Sequence, residues 1–316
     1  MDYGLVYPPL LASPLNMTIN HVSDACIQEI RPGRSVFVRQ EYQGNAQDNV
    51  ELQLVFQHGT MATEQQFGLV LNILKQRCDE FLSLKCVKFI LYDCVGCGQS
   101  PLPTDTRPSA FQNEELAKDF TAILEKYTDS TVPIIVIGHS YGPTIVFNTL
   151  RTNPLSNLRG LVLIGTSIRN PHLPHSDGGH PIMKLPLFIL RFLQKTMTDE
   201  FVNMSVHPDH TELREEVRKG SNRNDMSLAR NYHRNMQWAT VDDVQSIRNV
   251  PALIIHGKDD RVLPLECGQH LADQLPMSTL VVVDPASHLV MLEQPEQVGE
   301  EILQFLKRCF QKQRKV

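Results

Sequence analysis

The 316-residue chain lacks an apolar run of about 18 residues, the length that a membrane-spanning helix needs. Its first residues carry no cluster of positive charge, and three early prolines interrupt them, so they do not resemble a signal peptide. The net charge of −5 leaves no general basic character to attract nucleic acid. We therefore expect neither a transmembrane segment nor a nucleic-acid partner.

The cysteines lack the arrangement that disulfides or metal sites require. There are seven, an odd number at scattered spacings, which predicts free thiols in a reducing compartment and hence a cytoplasmic location. Cys94 and Cys97 form one C-x-x-C pair, but no second ligand pair accompanies it, and Gly96 and Gly98 favour a tight turn over a zinc or redox site. We predict no metal and no cofactor.

What the chain does contain is an alternation of short apolar segments with segments of helical length. Near-continuous apolar character over five to seven residues is typical of strands buried on both faces, as in a parallel sheet covered by helices. The pattern predicts the α/β class, with a mostly parallel, doubly wound sheet. The predicted strands are 52–57, 88–92, 133–137, 158–164, 251–255 and 279–283. The predicted helices between them are 64–83, 111–127, 141–152, 265–274 and 294–311.

The N-terminal part of the chain does not share this alternation. Residues 1–30 show no clear periodicity, which predicts an N-terminal extension packed on the surface. Residues 35–42 have the composition of a strand, and the polar stretch 43–49 predicts a hairpin turn from it into the strand at 52–57.

A long interval interrupts the second half of the alternation. Because a structureless loop of some 85 residues is uncommon in a compact domain, residues 167–245 are predicted to form an inserted helical cap, and residues 31–166 and 246–316 the core. The most apolar part of the cap, 185–193, either packs on the core or contacts an acyl chain or a membrane surface. The sequence leaves this choice and the oligomeric state open.

The most specific motif is G-x-S-x-G, formed by Gly138, His139, Ser140, Tyr141 and Gly142. It lies directly between a predicted buried strand and a predicted helix. A turn this sharp at the serine leaves no room for side chains two residues to either side, and the two glycines remove them. The pattern predicts a nucleophile elbow with its hydroxyl at the carboxyl edge of the sheet; the alternative is a purely structural turn.

In this strand–turn–helix context the motif resembles the elbow of the α/β-hydrolase superfamily, over about residues 35–310. The resemblance implies a catalytic triad in the chain order Ser, Asp, His, with one acid and one base after later strands. Asp260 occupies the fourth position of the family's G-x-x-D segment, and Asp259 is its nearest alternative. His288 stands before a Glu-x-Pro-Glu step similar to the segment of the family's catalytic histidine. His288 would take the proton of Ser140, and Asp260 would orient the imidazole.

The resemblance also implies an oxyanion hole. In related enzymes an HG-x turn presents the backbone N–H of its third residue, which here is Thr60, together with the N–H of the residue after the nucleophile, Tyr141. Gly59 would permit the close approach of the turn, and His58 is expected to be a structural, hydrogen-bonding histidine.

Residues 136–142 and 287–296 are most similar to the animal alpha/beta hydrolase domain-containing protein eight subgroup. Glu293 stands where some relatives have the aspartate of an H-x-x-x-x-D motif associated with acyltransferase activity, which argues against that activity here. The resemblance implies a carboxylesterase-like or lipase-like serine hydrolase that acts on a lipid or another acyl ester through an acyl-enzyme. A catalytically silent binding protein, or a hydrolase of thioesters, amides or carbon–carbon bonds, are the alternatives.

Overall fold

The computed structural model describes residues 23–45, 48–169 and 181–311. These residues form one eight-stranded sheet with the order β1-β2-β4-β3-β5-β6-β7-β8. From β4 to β8 all neighbours in the sheet run parallel, and β1 and β2 are antiparallel additions at one edge. The strands are β1 (Ser23–Arg31), β2 (Arg34–Gly44), β3 (Leu52–Gln57), β4 (Cys86–Tyr92), β5 (Ile134–His139), β6 (Leu158–Ile164), β7 (Ala252–Gly257) and β8 (Ser278–Val283).

Helices cover both faces of this sheet, as the alternation predicted. One buried cluster includes Phe120 and Phe147 from helices on the first face, and a second includes Leu71 and Ile302 from helices on the other. Strands β3, β5 and β7 are buried along their whole length, which explains their continuous apolar sequences. The helices of the core are α1 (Gly68–Leu82), α2 (Asn113–Tyr127), α3 (Gly142–Thr152), α8 (Leu265–Gln274), α9 (Val290–Glu293) and α10 (Pro295–Gln311).

The N-terminal prediction was wrong for residues 23–30, because these residues belong to strand β1. This strand pairs along the outer edge of β2, with Ala25 opposite Arg39 and Ile27 opposite Phe37. Most of its side chains are exposed, including Ile27 at 59%. An edge strand with so little burial needs no apolar pattern, so composition gives no indication of it. Residues 1–22 of the predicted extension lie outside the described residues.

The predicted hairpin was also wrong. Strand β4 lies between β2 and β3, with Val38 of β2 opposite Tyr92 and Leu52 of β3 opposite Val87. Because β3 is buried throughout, it needs a hydrogen-bonded neighbour on each side, and β4 and β5 provide them. The polar stretch after β2 predicts a change of direction but not the strand with which the chain pairs next.

Between β6 and β7 the structure describes four α-helices within residues 181–245, a segment that we call the cap. Residues 170–180 of the cap proposed over 167–245 lie outside the described residues. In the remainder, Tyr232 attaches the cap to the core by donating a hydrogen bond to the carbonyl of Val95 at 2.8 Å. No helix among residues 23–45, 48–169 and 181–311 is long and apolar enough to cross a membrane. The cap helices are α4 (Leu187–Ser205), α5 (Thr211–Asn222), α6 (Met226–Asn235) and α7 (Val241–Gln245).

Candidate active site

The turn after β5 holds Ser140 in a left-handed backbone conformation, with φ of +57°. This conformation is unfavourable for a residue with a Cβ and persists where the surroundings determine it. Two hydrogen bonds do so here: the N–H of Ser140 donates to the carbonyl of Ile164 at 2.9 Å, and the hydroxyl of Thr166 donates to the carbonyl of Ser140 at 2.6 Å. The serine is therefore raised at the carboxyl ends of β5 and β6.

The two glycines of the motif are packed so closely that no side chain fits. A Cβ at residue 138 would lie 2.9 Å from Cγ of Pro143, and one at residue 142 would lie 2.5 Å from the carbonyl oxygen of Gln57. Both approaches are shorter than carbon atoms tolerate. The steric reason for which G-x-S-x-G predicts a sharp turn thus applies in this structure.

The structure brings Ser140, His288 and Asp260 together in one line of contacts. Nε2 of His288 lies 2.9 Å from Oγ of Ser140, and Nδ1 lies 2.8 Å from Oδ2 of Asp260. The other carboxylate oxygen, Oδ1, accepts hydrogen bonds from the N–H groups of Val262 and Leu263 at 2.9 and 2.8 Å. Asp260 is therefore held as an acceptor, and its contact with Nδ1 leaves Nε2 facing the serine hydroxyl.

Asp259, the alternative acid, does not reach His288 in this arrangement. Its side chain is about half-exposed, and its Oδ2 lies 3.8 Å from Nε2 of His207 in the cap. The two adjacent aspartates therefore point to different neighbours, and Asp260 is the one buried against the imidazole.

Two further buried histidines flank this line. Nε2 of His139 donates to the carbonyl of His288 at 3.1 Å, and the two rings are 4.8 Å apart. Burial, and then the neighbouring His288, hold the pKa of His139 well below its ordinary value. Nε2 of His256 donates to the carbonyl of Leu263 at 2.7 Å, and burial lowers its pKa as well. Because burial favours the neutral form of both flanking imidazoles, neither places a positive charge beside His288.

The turn after β3 lies directly against the nucleophile. A Cβ at Gly59 would be 2.9 Å from Cβ of Ser140, so only glycine lets the two backbones approach this closely. In the described part of the chain, no acceptor takes a hydrogen bond from the backbone N–H of Thr60 or of Tyr141. Two unpaired amide donors thus flank the serine, one from each of the predicted segments.

The side chain of Tyr141 connects the elbow to the base of the cap. Its hydroxyl accepts a hydrogen bond from the N–H of Gln237 at 3.0 Å and also contacts the side chain of Asn113. The ring packs edge-on against Trp238, with 5.3 Å between the ring centroids. Burial raises the pKa of Tyr141, so the hydroxyl stays protonated. These contacts fix the position of Tyr141 directly after Ser140.

Both ring nitrogens of His58 contact the backbone. Its Nδ1 donates to the carbonyl of Gly59 at 2.7 Å, and its Nε2 accepts from the N–H of Cys94 at 2.8 Å. Burial lowers its pKa, which favours the neutral tautomer that these two contacts require. The ring ties the turn after β3 to the turn after β4.

Asp93, at the start of the turn after β4, holds the same two loops together. Its carboxylate accepts from the N–H groups of Glu64 and Gln99, both at 2.8 Å. Burial raises the pKa of Asp93 to about 6. Cys94 and Cys97 in this turn are buried free thiols, and burial raises the pKa of Cys94 to about 12, so it is not a thiolate at neutral pH. Among the residues that the structure describes, no group of three or more His, Cys, Asp or Glu side chains could hold a metal ion.

Comparison with known proteins agrees with this architecture. Residues 54–295 match the model of the family described as alpha/beta hydrolase fold. The chain belongs to the α/β hydrolase family. Protein ABHD8 of Bos taurus is 27% identical over 259 residues, which are 80% of this chain and 55% of that protein. The chain thus spans about half the length of the ABHD8 proteins that it matches, and the predicted resemblance to the superfamily and to this subgroup is confirmed.

Two other comparisons extend the likeness across the α/β hydrolase family. The "uncharacterized hydrolase YugF" of Bacillus subtilis is 27% identical over 259 residues, 80% of this chain and 89% of that protein. The crystal structure of a bromoperoxidase from Bacillus anthracis superposes with a TM-score of 0.70, covering 90% of this chain and all of that one, at 16% identity. At that identity the structural likeness concerns the fold alone.

Glu293 has a position in this α/β hydrolase that the sequence did not indicate. Its two carboxylate oxygens lie 3.0 and 3.1 Å from the N–H of Ser287, next to His288, and one of them also accepts from the N–H of His207 in the cap at 2.8 Å. The side chain is 5% exposed, and burial raises its pKa. The carboxylate therefore joins the loop of His288 to the cap. The sequence shows its spacing of five residues from His288, but it does not show its partner in the cap, the N–H of His207.

Proposed function

We propose that this chain is a serine hydrolase that cleaves carboxylic esters through an acyl-enzyme. The observation that carries the proposal is the line of contacts from Asp260 to His288 to Ser140, with distances of 2.8 and 2.9 Å. A serine hydroxyl is a weak nucleophile unless a base in contact removes its proton, and that base must be held in the correct tautomer. The three side chains supply these functions.

The proposed reaction has two halves. Oγ of Ser140 attacks the acyl carbon while its proton passes to Nε2 of His288, and Asp260 stabilises the imidazolium. The amides of Thr60 and Tyr141 donate hydrogen bonds to the oxyanion. The carbon–oxygen bond to the leaving alcohol then breaks, and the alcohol takes the proton from His288. Water, deprotonated by His288, attacks the acyl-enzyme in the same way and releases the carboxylic acid.

A cleft near the turn after β3 offers space for a substrate. It has a volume of about 870 Å³ and lies between the loop after β4 and helix α6. Met61, directly after Thr60, lines it together with Phe111 and Leu228. Its size falls within the range of small-molecule sites, and these apolar side chains suit an acyl chain of a lipid or a related ester. Polar and charged side chains, among them Asp93, Arg223 and Asp225, line the rest of the cleft, and the three triad side chains are not among its lining residues.

A fluorophosphonate probe tests the nucleophile. We expect covalent labelling of the wild-type chain and none of Ser140→Ala, and a fall in kcat on the order of 10⁴ or more for Ser140→Ala and for His288→Ala. Labelling that survives Ser140→Ala would place the nucleophile elsewhere. A folded wild-type chain that takes no label would contradict the proposal and favour a catalytically silent binding protein.

A substrate panel tests the bond and the acyl chain. The panel contains p-nitrophenyl esters of increasing chain length, a monoacylglycerol and an acyl-CoA. We expect esters to be cleaved with higher kcat/KM as the chain lengthens, and Leu228→Trp to reduce kcat/KM for long chains more than for acetate. Preference for the acyl-CoA would contradict the ester assignment while leaving the nucleophile intact.

A further inference from the structure

The N-terminal half of helix α4 presents two aromatic side chains to solvent. Phe188 is 74% exposed and Phe192 is 86% exposed, the highest values among the large apolar side chains that the structure describes. They are four residues apart on one helix, so their rings lie on the same face, one turn from each other. Leu190 between them is fully buried against the core. The helix is therefore docked on one side and apolar on the other.

Positive charge surrounds these rings. Lys184, Arg191 and Lys195 are exposed and are the only charged residues in 181–198; the first acidic residue is Asp199, which pairs with Lys195 at 3.1 Å. Exposed aromatic rings framed by cations suit a surface that offers both hydrocarbon and negative charge. Anionic lipid headgroups above acyl chains are such a surface.

We propose that this aromatic–basic face of α4, defined by Lys184, Phe188, Arg191, Phe192 and Lys195, binds membranes that contain anionic lipid. The rings would insert at the level of the headgroups, and the cations would contact the lipid phosphates. Two rings and three cations make a smaller face than the roughly 800 Å² per partner that a stable protein interface buries. The rings and the cations do supply the two weak interactions, one apolar and one electrostatic, that reversible membrane binding combines.

The far end of the same helix contacts the loops of the candidate triad. The carbonyl of Ser205 accepts from the N–H of Leu289 at 3.0 Å, and the carbonyl of Met204 accepts from the N–H of Arg261 at 3.4 Å. From Phe192 to Ser205 the helix rises about 20 Å, so a chain bound through the near end of α4 would have the loops of its triad about that far from the bound face. Delivery of a lipid ester from the membrane depends on the proposed hydrolase activity, whereas membrane binding itself does not.

Co-sedimentation with vesicles tests the inference, with Ser140→Ala as the background so that hydrolysis plays no part. The vesicles contain phosphatidylcholine alone or mixed with phosphatidylserine. We expect binding to the mixed vesicles, and an at least tenfold loss of affinity on Phe188→Ser with Phe192→Ser. The matched control, Ile27→Ser with Met277→Ser, removes apolar groups that are 59% and 43% exposed elsewhere and should bind as the parent does.

The double substitution Lys184→Gln with Arg191→Gln tests the contribution of the positive charges to vesicle binding. This variant should bind the mixed vesicles at least threefold more weakly and should lose most of the dependence of binding on salt. The melting temperature of each variant establishes that it is folded.

Three results would overturn the inference. The parent does not bind the mixed vesicles, or the control variant loses as much affinity for them as the phenylalanine variant does. In the third, the parent binds no vesicles but forms a dimer that the phenylalanine substitutions dissociate. The last result would assign the face to a second copy of the chain. Fluorophosphonate labelling of the wild-type chain without vesicle binding would leave the hydrolase proposal standing and refute this one alone. Vesicle binding without fluorophosphonate labelling would leave this inference standing and refute the hydrolase proposal alone.

Discussion

Replacement of Glu293 by glutamine tests whether its carboxylate positions the imidazole of His288 or only stabilises the fold. The carboxylate accepts from the N–H of Ser287 with both oxygens and from the N–H of His207 with one. A glutamine side chain of the same shape has one acceptor oxygen, and its NH₂ group would face one of these two donors. With its oxygen at the Oε2 position it still accepts from both donors, so Glu293→Gln removes the negative charge and replaces the bond from the N–H of Ser287 to Oε1 by a contact between two donors.

The size of the effect follows from these contacts. A hydrogen bond to a charged acceptor contributes about 1.5–3 kcal/mol, and part of this is offset because glutamine avoids the burial penalty that raises the pKa of Glu293. We expect the free energy of unfolding to fall by about 2 kcal/mol. Because Ser287 precedes His288, a small shift of this loop moves the imidazole, and kcat should fall on the order of 10–100-fold.

The assay is p-nitrophenyl ester hydrolysis, run well below the melting temperature of the variant. A positioning role predicts a lower kcat with little change in KM, since the binding cleft is untouched. The matched control is Glu296→Gln, which removes an exposed carboxylate three residues further on. If Glu293→Gln unfolds more easily but keeps the kcat of the control, the carboxylate stabilises the structure without positioning His288, and our reasoning is wrong.

Three further predictions concern the acid, the oxyanion turn and the buried carboxyl. Asp260→Asn should lower kcat on the order of 10⁴-fold because it supports the wrong tautomer, whereas Asp259→Asn should match the wild type; the reverse result would exchange the two roles. Thr60→Val should keep kcat and raise the free energy of unfolding by up to about 1 kcal/mol, since the buried hydroxyl of Thr60 has no partner among the described residues; a large fall in kcat would mean that the hydroxyl, not the backbone N–H, serves the site. The Asp93 carboxyl should titrate near pH 6 by ¹³C NMR. The pKa of this carboxyl is higher in the folded than in the unfolded chain, so its contribution to the free energy of unfolding is complete below about pH 4 and is lost as the pH rises through 6. The change amounts to about 3 kcal/mol. Titration of the carboxyl near pH 4 would refute this prediction.

Local rules explain which parts of the fold could be predicted. The parallel strands were predictable because each is buried on both faces and must be apolar along its whole length, as β5 is. Strand β1 was not, because at the edge of the sheet most of its side chains face solvent. The partner of β2 could not be predicted either, since the choice between β3 and β4 depends on which strand already has two neighbours.

The same division applies to the candidate site. The elbow was predictable because its steric demands act within five residues, and Gly138, Ser140 and Gly142 express them directly in sequence. The G-x-x-D spacing favoured Asp260 over Asp259, but only three-dimensional packing shows which neighbour each of these adjacent side chains meets.

The sequence by itself determined the class of fold, the sharp turn at Ser140 and the order in which the proposed acid and base follow it. Only the tertiary structure decided that Glu293 joins the histidine loop to the cap, and that Phe188 and Phe192 face solvent rather than the core. The physical reason is the distance along the chain over which each kind of interaction acts. Backbone sterics and side-chain periodicity act between neighbours in the chain, whereas a buried hydrogen bond across 86 residues or an uncovered helix face depends on how distant elements pack.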